Sequence, residues 1–162
     1  MRTWVWLVVA ACGHSSDLSM GSNAPVHDGP TDAATMMSGV PYGSDGPVPY
    51  TVQTATLTAG TTFNITAYLP TTSGLHPAVS FAAGSQQTAA GYAPYGERLA
   101  SYGIAAIIAD DPGVLVNTGA VVTNAVYVVA TYIPNTFADT IDTTRIGVAG
   151  HSRGGAASLA AA

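Results

Sequence analysis

The stretch Gly147-Val148-Ala149-Gly150-His151-Ser152-Arg153-Gly154-Gly155-Ala156-Ala157-Ser158, near the end of a 162-residue sequence, decides how the rest is read. Its centre, Gly150 to Gly154, has the pattern G-x-S-x-G, with an apolar segment before it and small residues after it. A sharp strand-to-helix turn of this kind lifts a serine side chain clear of its neighbours, where it can act as a nucleophile. From the glycine and serine content alone, chance gives the bare pattern about once in seven such chains, so its surroundings must carry the reading. Residues 145–149, RIGVA, have the composition of a short strand, and AASLAAA from 156 to 162 that of a small-residue helix. Side chains at Gly150 and Gly154 would collide with the strand and helix that cross there, which explains both glycines.

Upstream, strand and helix signals alternate. Residues 50–58, YTVQTATLT, and 63–69, FNITAYL, alternate and are rich in β-branched side chains, with Ala59-Gly60-Thr61 between them, which predicts a hairpin. Residues 78–83, AVSFAA, predict a short strand ending at Gly84-Ser85-Gln86-Gln87, and His76 reads as a surface histidine in the preceding loop. Residues 94–102 predict a helix with proline in its first turn, Tyr95, Leu99 and Tyr102 on its packed face, and Gly103 as its stop. IAAIIA, 104–109, is apolar on both faces, as a central parallel strand requires, and Asp110-Asp111-Pro112-Gly113 reads as the turn that ends it. Val122, Val126, Val129 and Ile133 fall at helical spacing, so 117–133 reads as a helix that Pro134-Asn135 breaks. The expected fold class is α/β, a mostly parallel sheet with an N-terminal β-hairpin.

The N-terminal third is of another kind. Arg2, the apolar run from Trp4 to Val9, and Ala10-Ala11-Cys12 follow the order of a bacterial lipoprotein signal. The expected organisation is a signal peptide over 1–11, lipidation at Cys12, a tether over 12–48 and the folded domain over 49–162. The tether is rich in Gly, Pro, Ser and Asp, and it cannot bury enough apolar surface to offset the entropy of ordering. His14 and His27 within it read as solvated, with no partner at metal-ligand spacing. Localisation is then the bacterial cell envelope, lipid-anchored, or outside the cell, with the membrane surface a partner through Cys12.

Composition limits the rest. Only 8% of residues are charged, the formal net charge is −5 and lysine is absent, which removes the basic surface that nucleic-acid binding needs. The single cysteine leaves no intramolecular disulfide and no multi-cysteine metal site.

Three stretches carry a family resemblance: HPAVSFAAGSQQ (76–87), YGERLASYGIAAIIADDPG (95–113) and DTTRIGVAGHSRGG (142–155). Residues from about 43 to 162 resemble the N-terminal half of the α/β-hydrolase superfamily, in particular its dienelactone-hydrolase-like, chlorophyllase-like and cutinase-like branch. The resemblance implies Ser152 as nucleophile, the backbone N–H groups of Ser85 and Arg153 as oxyanion hole, an ester as substrate, small or polymeric, and no cofactor or metal. Ala83-Gly84 departs from the His-Gly or Pro-Gly of many relatives. The Arg153 side chain is expected near the mouth of the pocket, either binding an acidic group or on the helix surface, and His151 is expected to pack.

In this fold the acid and then the histidine of the triad follow the serine. The chain therefore reads as a serine esterase present as a fragment without those two groups, inactive alone, with residues 145–149 as an uncovered edge strand. The other class open to it is a non-catalytic, lipid-anchored binding or structural module that keeps a hydrolase remnant.

Overall fold

The computed structural model describes residues 44–113 and 115–162. The expected signal peptide, Cys12, His14, His27 and all but the end of the expected tether lie outside the described residues.

Five strands form one sheet in the order β1-β2-β4-β3-β5. The hairpin pairs β1 (Tyr50–Thr58) with β2 (Thr62–Pro70), register Thr58 to Thr62, around Ala59-Gly60-Thr61. β2 runs antiparallel to β4 (Ala105–Ala109), and β3 (His76–Ala82) lies parallel to both β4 and β5 (Ile141–Gly150). The sheet is thus parallel through β4, β3 and β5, and the hairpin extends it on the β4 side. From β3 the chain passes first to one neighbour and later to the other. Strand order reverses there, and the carboxyl ends of β4, β3 and β5 lie at one end of the sheet, the usual ligand position of such sheets.

Both faces of the sheet are covered. Because side chains alternate, Ala105, Ile107 and Ala109 of β4 join Phe63, Ile65, Val128, Ile133 and Ile146 on one side, while Ala106 and Ile108 join Tyr68, Phe81 and Ala100 on the other. That two-sided demand makes β4 apolar throughout.

α1 (Ala93–Ser101) follows a 3-10 turn and covers the second side. Its packed face is only partly the expected one: Leu99 packs against the core and Gly96 and Ala100 are buried, whereas Tyr95 is 57% exposed. A Cβ at Gly96 would overlap the Tyr68 ring, so small residues let the helix approach and Tyr95 is left at the rim, stacked on Phe81 at 6.0 Å. Gly103, at φ 80, turns the chain into β4 as expected. Residues 45–48, whose polar composition matches a tether, are held against this helix: Gly46 N donates to Ser101 Oγ (2.8 Å) and Val48 N to Ser101 O (3.0 Å).

α2 (Thr118–Tyr127) opens on Asn117, whose Oδ1 accepts from Ala120 N at 2.9 Å. Its buried positions are Val121, Asn124 and Ala125, then Val128 and Ile133 beyond it, so the packed face is turned by one residue from the expected one and Val126 is exposed. The cause is tertiary. Gly60 of the hairpin sits against Ala120, and Thr61 N donates to Asn124 Oδ1 at 3.1 Å, which draws Asn124 inward. Pro134 does not break the helix where expected. A π turn, Val128–Tyr132, comes first, with Ile133 N bonded to Val128 O, and α3 (Ile133–Thr136) adds a last turn. The widened turn relieves the clash a proline ring makes with the carbonyl four residues back.

Two further expectations are corrected. His76 is a buried residue opening β3, with Nδ1 3.1 Å from Gly103 O and Nε2 3.0 Å from Thr72 O. Two backbone carbonyls converging on one ring are tertiary contacts with no local signature. β5 begins at Ile141, four residues before the expected start, because a bulge between His76 and Ala78 lets Ile141 pair with His76. The two faces of β5 are not bare, since Ile146 is buried in the cluster on one side and Ala149 packs against the cluster on the other; its outer edge pairs with no strand among the described residues.

Candidate active site

Ser152, with His151, forms the two-residue turn between β5, which ends at Gly150, and α4 (Arg153–Ala161). Its backbone has φ 52 and ψ −122, a region that L-residues avoid. Such a conformation costs of order 1–3 kcal/mol and persists only where the surroundings impose it. They do so through the two glycines. A Cβ at Gly150 would lie 2.7 Å from the Gly154 backbone, and one at Gly154 would overlap the carbonyl oxygens of Ala82 and Ala83 at the end of β3. The start of α4 therefore rests directly on β3, and Ser152 is pushed outward and exposed. Its hydroxyl makes no hydrogen bond to protein among the described residues.

Gly154→Ala is expected to lower stability by about 1–3 kcal/mol or more, as overpacking does, with a matching fall in Tm. A variant melting at the parental temperature would mean that α4 is not seated on β3.

Ser85 lies in the turn after β3. Gln87 N donates to Gly84 O at 2.9 Å, and Gln86 has φ 61, so the turn is tight and left-handed at its third residue. His151 N reaches Ala82 O at 3.1 Å, bringing this loop beside the Ser152 turn. The N–H groups of Ser85 and of Arg153, first residue of α4, have no protein acceptor among the described residues. Arg153 also opens the positive end of the helix dipole, where developing negative charge is stabilised.

The Arg153 side chain resolves the two expectations in favour of an acidic partner, one inside the protein. Nε and Nη2 donate to Asp111 Oδ2 at 2.9 and 2.6 Å, Nη2 also reaches Asp111 Oδ1, and the guanidinium bonds Gly113 O and Val116 O, each at 2.9 Å. Asp111 is thus more than the turn former its neighbours suggest. Its side chain is 0% exposed, and its Oδ1 accepts from Gln86 N (3.1 Å) and Gly113 N (2.8 Å). Burial pushes its pKa up, but the Arg153 hydrogen bonds, then those from Gln86 and Gly113, outweigh it and leave the carboxyl below its ordinary 3.8. The neighbouring Asp110 is a turn residue, accepting from Ala89 N at 2.6 Å.

His151 packs, as its place beside Ser152 suggests, and it is also bonded: Nδ1 lies 2.8 Å from the Tyr92 hydroxyl. That oxygen accepts in turn from Gly84 N at 3.1 Å. A Cβ at Gly84 would overlap the His151 ring, so the glycine of Ala83-Gly84 serves close approach. Tyr92 and Asp111 both escape a reading by motif, because neither belongs to one. His76 lies at the opposite end of the sheet from Ser152, since it opens β3 where Ala82, paired with Gly150, closes it.

A five-stranded mixed sheet with helices on both faces and a serine turn after β5 defines an α/β-hydrolase-like fold. No family model and no curated protein matches the chain. Among solved structures it is similar to an esterase of Pyrobaculum calidifontis, in its monoclinic form, with a TM-score of 0.59 and 22% identity over 68% of this chain and 39% of that one. The likeness is one of fold, and the chain spans about two fifths of that esterase.

Proposed function

We propose that this chain carries the nucleophile and oxyanion hole of a serine esterase. The observation that supports this best is the backbone of Ser152, held at φ 52 between β5 and α4 beside two unoccupied N–H groups. Ser152 Oγ attacks the ester carbonyl carbon and its proton passes to a general base; the carbonyl oxygen takes the negative charge, facing the N–H groups of Ser85 and Arg153. Collapse expels the alcohol, which takes that proton. Water then attacks the acyl-enzyme, releasing the acid and restoring the serine.

The base comes from outside the described residues. Of the two histidines among the described residues, His76 sits at the far end of β3 and His151 holds Tyr92 through Nδ1. In this reading the chain is part of a longer hydrolase, whose remaining residues supply the base, the acid and most of the acyl pocket. The dienelactone-hydrolase-like, chlorophyllase-like and cutinase-like branch fits the residues around Ser152, with a small or polymeric ester as substrate.

The test is hydrolysis of short p-nitrophenyl esters, with fluorophosphonate labelling, by the protein expressed from its natural reading frame. Neither turnover nor labelling would favour a non-catalytic module on the same fold.

The same reading puts the domain at a bacterial membrane surface, held through lipidated Cys12. Mass spectrometry of the mature protein is expected to show an acylated N-terminus at Cys12, with Cys12→Ser left unprocessed or released; two or more acyl chains suffice for stable anchoring. An intact Met1 with an unmodified thiol in the membrane-free fraction would refute it.

A further inference from the structure

The loop that carries Ser85 is tied to the Ser152 turn twice, and the two ties bracket both residues. Gly84 N donates to the Tyr92 hydroxyl (3.1 Å), which also bonds His151 Nδ1 (2.8 Å). Gln86 N donates to Asp111 Oδ1 (3.1 Å), and the same carboxylate holds Arg153 Nε (2.9 Å) and Nη2 (2.6 Å). The residue before Ser85 is thus linked to the residue before Ser152, and the residue after Ser85 to the residue after Ser152. Between the ties, the Ser85 amide alone has no acceptor among the described residues.

We infer that Tyr92 and Asp111 are positioning residues that set the Ser85 N–H against the Arg153 N–H, so that both donors meet the oxyanion at one point. The inference rests on the esterase reading above and adds to it two residues from separate segments, the 3-10 turn before α1 and the loop after β4.

The chemistry explains why each tie uses the group it does. A tyrosine hydroxyl has one proton and two lone pairs, so Tyr92 can accept the Gly84 N–H and still bond His151 Nδ1. Asp111 has two acceptor oxygens and no proton at neutral pH, so it can gather a backbone N–H and a forked guanidinium at once. Each also occupies an amide beside Ser85 that would otherwise compete to be a donor. Gln86 is held at φ 61, a conformation a non-glycine residue keeps only under constraint, and its N–H bond to Asp111 contributes that constraint. Donors fixed before the reaction need no reorganisation as charge develops, and a donor displaced by about 1 Å loses much of its effect.

The test uses the protein expressed from its natural reading frame, with Tyr92→Phe, Asp111→Asn and Ser152→Ala, assayed for kcat and KM on p-nitrophenyl butyrate. Binding of phenylboronic acid, whose serine adduct places an oxygen in the oxyanion position, is measured alongside. Each tie variant is expected to lower kcat about 10- to 100-fold with KM within about two-fold, and to weaken boronate binding by the same factor as kcat. A merely structural role would not confine the loss to kcat and the tetrahedral adduct. Tyr92→Phe removes one oxygen and keeps the ring against Phe81, 4.8 Å away, so this variant decides the question even where Asp111→Asn unfolds. Parental kcat and boronate affinity in Tyr92→Phe, or a rise in KM alone, overturns the inference while loss of activity in Ser152→Ala leaves the esterase reading intact. Turnover that survives Ser152→Ala overturns that reading itself.

Discussion

Ser152→Ala is expected to abolish both fluorophosphonate labelling and p-nitrophenyl ester turnover in the protein expressed from its natural reading frame. Loss of the nucleophile removes the covalent path, and comparable serine deletions reduce kcat by up to about 10⁶-fold, leaving only what the oxyanion hole contributes. The variant should fold as the parent does or melt slightly higher, because the hydroxyl makes no hydrogen bond to protein among the described residues and alanine at φ 52 is no more strained than serine. Equal folding with no turnover separates chemistry from stability. The polypeptide of residues 12–162 made by itself should turn over esters no faster than its own Ser152→Ala variant. His76 lies at the far end of the sheet and His151 holds Tyr92 through Nδ1, so neither described histidine is bonded to the serine as a base must be. Labelling that persists in Ser152→Ala would contradict the nucleophile assignment, and serine-dependent turnover by residues 12–162 would contradict a base outside the described residues.

The second large effect concerns Arg153. Arg153→Met keeps much of the side-chain volume but leaves the Asp111 carboxylate enclosed without its counter-charge, and removing one partner of a buried pair typically costs about 3–5 kcal/mol. Asp111 is 0% and Arg153 16% exposed, so solvent offers the carboxylate little compensation. The sign of the pH dependence follows from the direction of the shift. The Asp111 carboxyl lies below 3.8 in the folded protein, so the pair's contribution is fully present above the unfolded value and drains as pH falls below it towards the folded one. The stability gap between parent and Arg153→Met should therefore be widest near neutrality and close as Asp111 takes up a proton. Urea melts at a series of pH values measure this. A gap that stays constant down to the lowest pH at which both fold would show that packing, and not the ion pair, carries the effect.

Much of the fold is legible along the chain because it is locally encoded. The hairpin follows from alternation around Ala59-Gly60-Thr61, β4 from an unbroken apolar run, and α1 from Pro94 and Gly103 at its ends. The serine turn is legible for the same reason: Gly150 and Gly154 answer steric demands within one turn of chain. Helix rotation is less so. The valines of 122–129 have nearly equal claims to the inside, and what chose Val121 and Ala125 was Asn124, drawn to the amide of Thr61, 63 residues away.

The site divides along the same line. Sequence alone determined that Ser152 follows a strand, precedes a helix and is flanked by glycines. Only the tertiary structure decided that Asp111 belongs to Arg153, that Tyr92 belongs to His151, and that His76 is buried at the far end of the sheet. Local steric and propensity signals act over a few residues and leave a periodic trace. A buried carboxylate or hydroxyl takes its partner from whatever the strand order brings within about 3 Å, and that order, with β4 and β5 on either side of β3, is a property of the assembled sheet.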